Sequence, residues 1–543
     1  MAQMFRIYTH LIWVVFFWLN IVNGLEAVAF TPHVNDYDIN GASCGLVKKI
    51  SGSKDPAFIH AYVDNLYTTD ESLIPTLKFP IIIFKYTDIA NFTNLPTFTK
   101  YDSLYKEDKA ELYKDLVDFE TNKFKLDLAK DAQFNEADIY NDYITLDNKD
   151  DSEHIDVIFP VERSGFYCVY IAPPTDQSLT SVTIPVTFKN SYGNLGFTYY
   201  LENTQRIYVI IIACVFFGYL LNYILQFKVD DDFKNLNSVS LISRVLVFFV
   251  VLPYIFLNIY LWFIFFLLNR ISESYLLNVL ANFGIALGST FQVVLNYFTL
   301  LFAMGYGVIY YHNGNSKNYR MMPQKSLSHA SYLLIANLVL LIAFIFLDIN
   351  AVKANPFVNN RTDVENSKFV TRAHSALGFI LSIISFLWLI LSIVNYFKTK
   401  KIISKFPTGT NDKLITAFRR SILVIFVLPV FIFFLSVGVL IYKLLHNIKL
   451  PTQGVSDLEM EVFQIKIMET SLLESSGLLF VIWSEKLTFF LTIGLMYAIW
   501  VKDNTGVIYD PNANDPIEYA DVSQYEISDE EDLVGDNEEE VRA

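Results

Sequence analysis

Two pairs of polar residues interrupt long apolar stretches of this sequence, and they are its first candidates for chemistry. Glu485 and Lys486 are adjacent. Because charges inside an apolar membrane segment are costly, such a pair is either a functional site or a structural ion pair near the end of the segment. Gln292 and Asn296 are four residues apart, so a helix places them on one face. That face either lines a polar cavity of the bundle together with Glu485 and Lys486, or it packs against another helix.

Motifs for catalysis and for cofactor binding are absent from the sequence. It contains no Walker loop, no dinucleotide glycine fingerprint, no His-Glu-x-x-His and no Cys-x-x-Cys. We therefore expect neither an enzyme nor a bound cofactor or metal. The net charge of −15 also argues against nucleic-acid binding, which needs a basic surface.

Seven apolar runs within residues 206–501 are each long enough to cross a bilayer. About 20 apolar residues span the hydrocarbon core, and backbone groups in lipid must be satisfied within the segment. We therefore predict a transmembrane bundle of seven helices. The runs are 207–227, 245–268, 279–311, 331–347, 376–397, 422–444 and 478–501.

The distribution of basic residues predicts how the bundle is oriented. The connections 312–328 and 398–420 are rich in Lys and Arg and should be cytosolic, whereas the acidic connection 446–477 should be luminal. The connection 350–372 carries four basic residues on the predicted luminal side, which the seven of 398–420 outweigh. Residues 25–205 are then luminal and the C-terminus is cytosolic.

Residues 1–24 have the pattern of a signal peptide, with an uncleaved eighth helix as the alternative. Residues 25–205 contain short β-rich runs bounded by turn residues, which predicts an antiparallel β-sandwich. Residues 102–133 within it look like a charged, partly helical insertion. The predicted strands are 58–63, 80–86, 155–161, 165–171 and 182–188.

Two kinds of covalent modification are expected in the luminal part. Cys44 and Cys168 should form a disulfide, because two thiols in a secreted domain normally pair, although two free thiols remain the alternative. The Asn-x-Thr sequons at Asn91 and Asn360 are candidate glycosylation sites.

The second and sixth runs share a pattern. Each has an arginine followed nine residues later by a proline, Pro253 in one and Pro429 in the other. Proline removes a backbone hydrogen bond and kinks a helix. The two prolines are either ordinary kinks or the hinges of a cavity that opens and closes.

Residues 502–543 form an acidic tail without a hydrophobic pattern, so we expect it to be disordered. Tyr519 and Val522 fit the Tyr-x-x-apolar sequence that clathrin adaptors bind. Ser523 and Ser528 precede acidic residues, as phosphorylation sites for acid-directed kinases do. The alternative is a solvated acidic tail without sorting signals.

Four segments resemble the GOST family of Golgi-dynamics-domain seven-transmembrane proteins, also called lung seven-transmembrane receptors. Its fungal Ptm-like branch is the most similar. The segments hold the two luminal cysteines, an Asn-x-Tyr-Gly-x-Leu junction before the first helix, and a Gly-Tyr-Gly after the third. They are Ser43–Gly45, Gly165–Cys168, Phe188–Leu195 and Leu301–Tyr310.

The resemblance implies a luminal domain like the Golgi-dynamics (GOLD) β-sandwich, and residence in Golgi or endosomal membranes. It implies a role in membrane trafficking, as a cargo-sorting receptor or a membrane-protein chaperone. The expected partners are membrane lipid, a luminal cargo or ligand, and cytosolic coat adaptors bound by the tail. The alternatives are a G-protein-coupled-type receptor, although the usual Asp/Glu-Arg-Tyr and Asn-Pro-x-x-Tyr motifs are missing, and an ion channel or transporter.

Overall fold

The structure is a computed structural model, and its description covers most of two regions, a β-rich region and a helical bundle. The described residues are 42–50, 52–53, 55–63, 65–68, 78–97, 101, 115–129, 139–145, 155–172, 179–226, 239–271, 275–311, 320–353, 361–404, 411–447, 458–459, 462–463, 465–466, 469–470, 475–502 and 505–506.

The β-rich region, here called the β domain, is built from two antiparallel sheets. One has the strand order β1-β9-β4-β7 and the other β11-β2-β8, while β3 pairs with β10 and β5 with β6. The strands are β1 (Ala42–Val47), β2 (Phe58–Tyr62), β3 (Asn65–Thr68), β4 (Lys78–Lys85), β5 (Val117–Asp118), β6 (Lys123–Phe124), β7 (Ile139–Thr145), β8 (Asp156–Pro160), β9 (Gly165–Ile171), β10 (Leu179–Thr183) and β11 (Val186–Lys189).

The two sheets share one apolar core. Ile81 of β4 and Val169 of β9 pack in the same buried cluster as Ile59 of β2 and Val157 of β8. Successive side chains of a strand point to opposite faces, so every second residue of each strand enters this core. Burying a side chain of this size contributes roughly 1.5–3 kcal/mol. The predicted antiparallel β region is thus confirmed.

The disulfide expected between Cys44 and Cys168 is present. The two cysteines are directly opposed in the pairing of β1 with β9, so the bond joins neighbouring strands of one sheet. Cys168 is fully buried. The one other cysteine of the chain, Cys214, has a free and exposed thiol.

One prediction for this region is wrong in detail. The run 182–188 is two strands, β10 and β11, separated at Ile184 and Pro185. Proline lacks the N–H that a continuous ladder needs. The partly helical insertion stays a prediction, because residues 102–114 lie outside the described residues. Within it, residues 117–124 form a hairpin of β5 and β6. There Asn122 takes a positive φ of 54° in the turn.

Among the described residues after the β domain there are seven helices that by length and composition can cross a membrane, as predicted. α2, α6 and α7 each contain a π-helical segment: Val245–Val251, Leu423–Val427 and Tyr497–Val501. The helices are α1 (Phe197–Gln226), α2 (Leu241–Arg270), α3 (Tyr275–Ala303), α4 (Gln324–Lys353), α5 (Arg361–Ile403), α6 (411–447) and α7 (475–501).

The helices run alternately away from the β domain and back towards it. The residues at the end of α2 contact the β domain, whereas the end of α3 contacts Thr399 near the end of α5. The end of the bundle opposite the β domain therefore carries basic residues. They are Lys400 and Lys401 at the end of α5, and Arg419 and Arg420 in the first part of α6, Asn411–Ile422. This is the relative placement that the basic connections predict.

The third apolar run extends to residue 311, but its helix ends at Ala303, next to the Gly-Tyr-Gly segment predicted to follow it. Gly305 and Gly307 have φ values of +90° and +78°, which glycine adopts without strain. The chain turns back there, so that the N–H of Gly307 donates to the carbonyl of Tyr310 at 2.9 Å. The hydroxyl of Thr399 donates to the carbonyl of Ala303 at 2.7 Å and so provides a partner for one of the carbonyl groups that a helix leaves unpaired at its C-terminus.

Candidate functional site

The segment that joins the β domain to α1 is clamped to the end of α2. The side chain of Asn269 accepts a hydrogen bond from the N–H of Leu195 (3.1 Å) and donates one to the carbonyl of Tyr192 (2.8 Å). Its own carbonyl accepts from the N–H of Asn194 (3.2 Å). One asparagine thus satisfies three backbone groups of the junction.

Residues of the Asn-x-Tyr-Gly-x-Leu junction each have a specific contact. Asn190 accepts from the N–H of Lys48 at 2.7 Å and donates to the carbonyl of Leu195 at 3.0 Å. The ring of Tyr192 stacks on Tyr200 of α1 with centroids 3.8 Å apart. Leu195 is buried against α2 and α3. The junction is therefore packed rather than a free linker.

Gly193 lies where a side chain has no room. Its φ is +134°, and an added Cβ would be 2.3 Å from the side-chain oxygen of Asn269 and 2.5 Å from its carbonyl oxygen. Contacts with a carbonyl oxygen at this distance cannot be relieved by a rotamer change. The close approach of the junction to α2 therefore requires glycine.

Lys48, next to the junction, is partly buried between the β domain and α1. Its ammonium lies 3.7 Å from the ring centroid of Phe197, the first residue of α1. Burial lowers the pKa of Lys48 below its ordinary value. A cation over an aromatic face is an attractive contact that partly offsets this burial.

The outer face of the four-stranded sheet is covered by the bundle and by the hairpin. Phe84 of β4 and Tyr170 of β9 belong to a buried cluster that also holds Phe197 and Leu201 of α1. Apolar residues of segment 458–470, between α6 and α7, pack on the same cluster. They are Leu458, Val462 and Ile465.

An ion pair accompanies this packing. The ammonium of Lys85, at the end of β4, lies 2.9 Å from a carboxylate oxygen of Glu469, and both side chains are mostly buried. The β domain is therefore joined to the bundle at three places: the junction, the sheet face and this ion pair.

A cluster of charged residues joins α1 to α7 near the β domain. Arg206 donates to Glu202 at 2.8 Å, and the ammonium of Lys486 lies 4.0 Å from the same carboxylate oxygen and 3.3 Å from Glu485. Arg206 and Lys486 are buried, while the side chain of Glu485 is 79% exposed. Each buried cation therefore has a carboxylate partner.

Glu202 and Arg206 were not predicted to take part in this site. They precede the first apolar run, and only their i,i+4 spacing, which suits an ion pair on a helix, could have indicated them. Trp483 adds a hydrogen bond from its indole N–H to the side chain of Gln205, at 3.0 Å.

The contacts of this charged cluster involve only one of the two predicted polar pairs, Glu485 and Lys486, and not Gln292 and Asn296. Gln292 is exposed on α3 and Asn296 is half-buried. The ion pairs of Lys486 reach Glu202 and Glu485 instead. The cavity predicted from the four residues together therefore stays a prediction.

Pro253 and Pro429 each follow a π-helical segment. The N–H of Leu252 donates to the carbonyl of Val247, five residues earlier, and the N–H of Leu428 donates to that of Leu423. Proline cannot donate to the residue four positions earlier and its ring crowds that carbonyl, so a wider turn before it relieves the contact. The similar sequences of α2 and α6 thus produce similar structures.

The π-helical segments of α2, α6 and α7 lie at the end of the bundle away from the β domain and contribute to one apolar cluster. Trp500 of α7 is fully buried there, and its indole N–H donates to the hydroxyl of Ser421 on α6 at 2.5 Å. Its ring meets that of Phe302 of α3 edge-on at 5.7 Å. One tryptophan thus ties α7 to α6 and α3.

Among the predicted modification sites, Asn91 ends a 3₁₀ helix (Tyr86–Asn91) and is partly exposed. Asn360 lies outside the described residues, as does the signal peptide, residues 1–24. The predicted tail sites also lie outside them: Tyr519, Val522, Ser523 and Ser528.

A cleft of about 680 Å³ lies between the β domain, α1 and α2. Charged side chains from both regions line it: Asp55 and Lys189 from the β domain and Arg270 from the end of α2. Trp262 and Phe266 of α2 form an aromatic wall, with their rings stacked at 5.8 Å. The lining thus combines charged and aromatic side chains.

Metal binding finds no support in the part of the chain that the structure describes, where no group of three or more His, Cys, Asp and Glu side chains could hold an ion. In comparisons with known proteins, no family model and no curated protein matches the sequence.

Proposed function

We propose that this chain is a seven-transmembrane protein of the Golgi or endosomal membranes that acts in membrane trafficking, as a cargo-sorting receptor or a membrane-protein chaperone. In this proposal the β domain is a GOLD-like sandwich that binds cargo or ligand in the lumen. The chain would belong to the GOST family, and its acidic tail would bind coat adaptors in the cytosol.

The observation that carries the proposal is the docking of the β domain on the bundle. A domain that only displayed a binding surface would need no contact with the helices beyond its linker. Here the sheet face, the junction and the Lys85–Glu469 ion pair all connect the two regions. Binding to the β domain would therefore change the free energy of contacts made by α1, α2 and α7.

The contacts of the junction give further support. The Asn-x-Tyr-Gly-x-Leu residues that resemble the family are the ones that fit the domain to α2, through Asn190, Gly193 and Leu195. A segment required for docking explains in physical terms why these residue types occur together.

Orientation is tested by glycosylation of Asn91. If the β domain is luminal, the protein made in cells carries an N-linked glycan that a glycosidase removes. Asn91→Gln should remove the part of the mobility shift that the glycan at Asn91 causes, and Asn91→Gln with Asn360→Gln should abolish it. A protein that carries no glycan at Asn91, combined with protease access to the β domain from the cytosolic side, would contradict the proposed orientation.

The sorting role is tested by affinity purification in mild detergent with quantitative mass spectrometry of the partners. We expect coat adaptors with the full chain and their loss from a truncation after Val501 and from Tyr519→Ala. Tyr525→Ala is the matched control, because Ser528, not an apolar residue, stands three positions after it. Unchanged partners and unchanged cellular location in all variants would refute the sorting role, and co-purified G-protein subunits would favour the receptor alternative.

A further inference from the structure

We propose that the cleft between the β domain, α1 and α2 is a binding site for the headgroup of a membrane phospholipid, with Lys189 and Arg270 holding its phosphate. None of the residues of the charged cluster of α1 and α7 lines this cleft.

The position of the cleft suits a lipid at the membrane surface. Arg270 is the last residue of α2, and Trp262 lies two turns earlier, about 12 Å along the helix axis. Tryptophan is enriched where the hydrocarbon core meets the headgroups. Ile259 and Phe263, neighbours of this wall on α2, are exposed side chains on a membrane-spanning helix. The aromatic side of the cleft therefore continues into the lipid-facing surface.

The charges of the cleft suit a phosphodiester. Two cations, Lys189 and Arg270, and one carboxylate, Asp55, leave one net positive charge, the complement of the single negative charge of a phosphodiester. Arg270 lies over the ring of Phe266 at 4.5 Å, which orients the guanidinium at the edge of the aromatic wall. Guanidinium and ammonium groups bind phosphate oxygens through charge-assisted hydrogen bonds.

Two buried polar atoms at the cleft have no partner within the described structure. One is the side-chain oxygen of Asn203, a residue that is 8% exposed, and the other is the hydroxyl of Tyr192. Both residues line the cleft. Buried polar atoms are normally hydrogen-bonded, so these two leave unused hydrogen-bonding capacity in residues that line the cleft.

The chemistry of these two atoms also matches a headgroup. Burial raises the pKa of Tyr192 well above its ordinary value, so its hydroxyl remains a donor and can bond a phosphate oxygen. The amide oxygen of Asn203 is an acceptor and can bond a headgroup hydroxyl or ammonium. Together the cleft offers donors for phosphate and an acceptor beside them.

The test is native mass spectrometry of the full chain, purified in detergent and incubated with phosphatidylglycerol, phosphatidylcholine or glycerol 3-phosphate. We expect one molecule of phospholipid to remain bound per chain. Glycerol 3-phosphate should not displace this lipid, because glycerol 3-phosphate lacks the acyl chains that the aromatic wall contacts. Displacement by glycerol 3-phosphate at similar concentration would overturn the proposal in favour of a soluble phosphate ligand.

Variants assign the bound lipid to the cleft. Lys189→Gln with Arg270→Gln should weaken its retention by about tenfold or more, since two charge-assisted contacts are lost. Tyr192→Phe keeps the ring stacked on Tyr200, removes the hydroxyl and should weaken retention less. Arg372→Gln, an exposed cation at the start of a different membrane span, is the control and should retain lipid normally. Equal retention in wild type and double variant would refute the site.

Discussion

Gly193 and Asn269 form a contact in which each residue type is required. Glycine provides a φ of +134° and the absence of a Cβ, and asparagine provides both a donor and an acceptor to the backbone beside it. Such a contact fixes the angle at which the chain enters α1.

Replacement of Gly193 by alanine should therefore destabilise the protein by roughly 2–3 kcal/mol, through backbone strain and the clash with Asn269. The measurement is thermal unfolding, with size-exclusion chromatography of the heated samples to quantify the protein that remains folded. Gly52→Ala is the matched control, because Gly52 also has a positive φ (+83°) but nothing within 4 Å of an added Cβ. Equal losses in both variants would show that the contact with Asn269 is unimportant.

The disulfide gives a second prediction at the scale of single residues. Its cysteines are 124 residues apart, and closing a loop of this length stabilises the folded state by about 4–5 kcal/mol on the chain-entropy model. Cys44→Ser with Cys168→Ser should lower the melting temperature of the β domain, as should reductant with the wild type. Cys214→Ser, which changes an exposed free thiol, should not; a double variant as stable as wild type would contradict the prediction.

The residue types allowed some of these contacts to be predicted. Two cysteines on the predicted luminal side leave a single possible pair, so Cys44–Cys168 followed directly. The need for glycine at position 193 could not be predicted, because it arises from the contact with Asn269 of α2, which lies more than 70 residues later in the sequence.

At the scale of elements, α2 and α6 combine a π-helical segment with a proline. A π turn has one extra residue and a wider backbone than an α turn, and such segments often occur at functional sites. The Pro253 and Pro429 segments pack with Trp500 in one cluster, so a change in one π turn would move side chains against the other two helices.

Pro253→Ala restores an N–H that can donate to the carbonyl four residues earlier. We expect residues 245–253 to shift towards α-helical hydrogen bonding, with amide hydrogen exchange slowed several-fold in this segment. Pro429→Ala should do the same in α6. The π segment of α7 contains no proline and serves as the internal control. Unchanged exchange in α2 and α6 would mean that packing around Trp500, not proline, sets the π turns.

Hydropathy was sufficient to predict the seven helices, because a bilayer admits only segments that satisfy their own backbone. It was less informative for the strands. β7 (Ile139–Thr145) was missed because Asn141 and Asp142 interrupt its apolar pattern, and it is a strand by virtue of its pairing with β4. The end of α3 lies next to the Gly-Tyr-Gly segment predicted to follow the third helix, although Tyr306 to Tyr311 are as apolar as a helix.

At the scale of the whole molecule, the main feature is that domain and bundle share buried surface. Lys85 and Glu469 lie far apart in the sequence and form a mostly buried ion pair between the two regions. Sequence patterns indicate that both regions exist, but they cannot indicate this contact, because neither residue stands in a motif.

Exchange of charges tests the contact. Lys85→Glu should place two carboxylates together and lower the free energy that holds segment 458–470 on the β domain by roughly 1–3 kcal/mol. Limited proteolysis and hydrogen exchange would detect the loosened segment. Combination with Glu469→Lys should restore most of the lost free energy. Lys123→Glu, which breaks the more exposed pair with Asp142 inside the β domain, should leave the segment unchanged. If the double exchange does not restore protection, the ion pair does not hold the docked state.

The covered outer face of the four-stranded sheet has a consequence for biogenesis. During synthesis Phe84 and Tyr170 emerge long before segment 458–470, which follows Lys85 by roughly 380 residues. At translation rates of about 5–20 residues per second, the newly made β domain exposes part of this aromatic face for on the order of half a minute. In the proposed luminal orientation, the nascent chain would present this surface to luminal chaperones until α7 is inserted, and release from the endoplasmic reticulum would then report completion of the entire bundle.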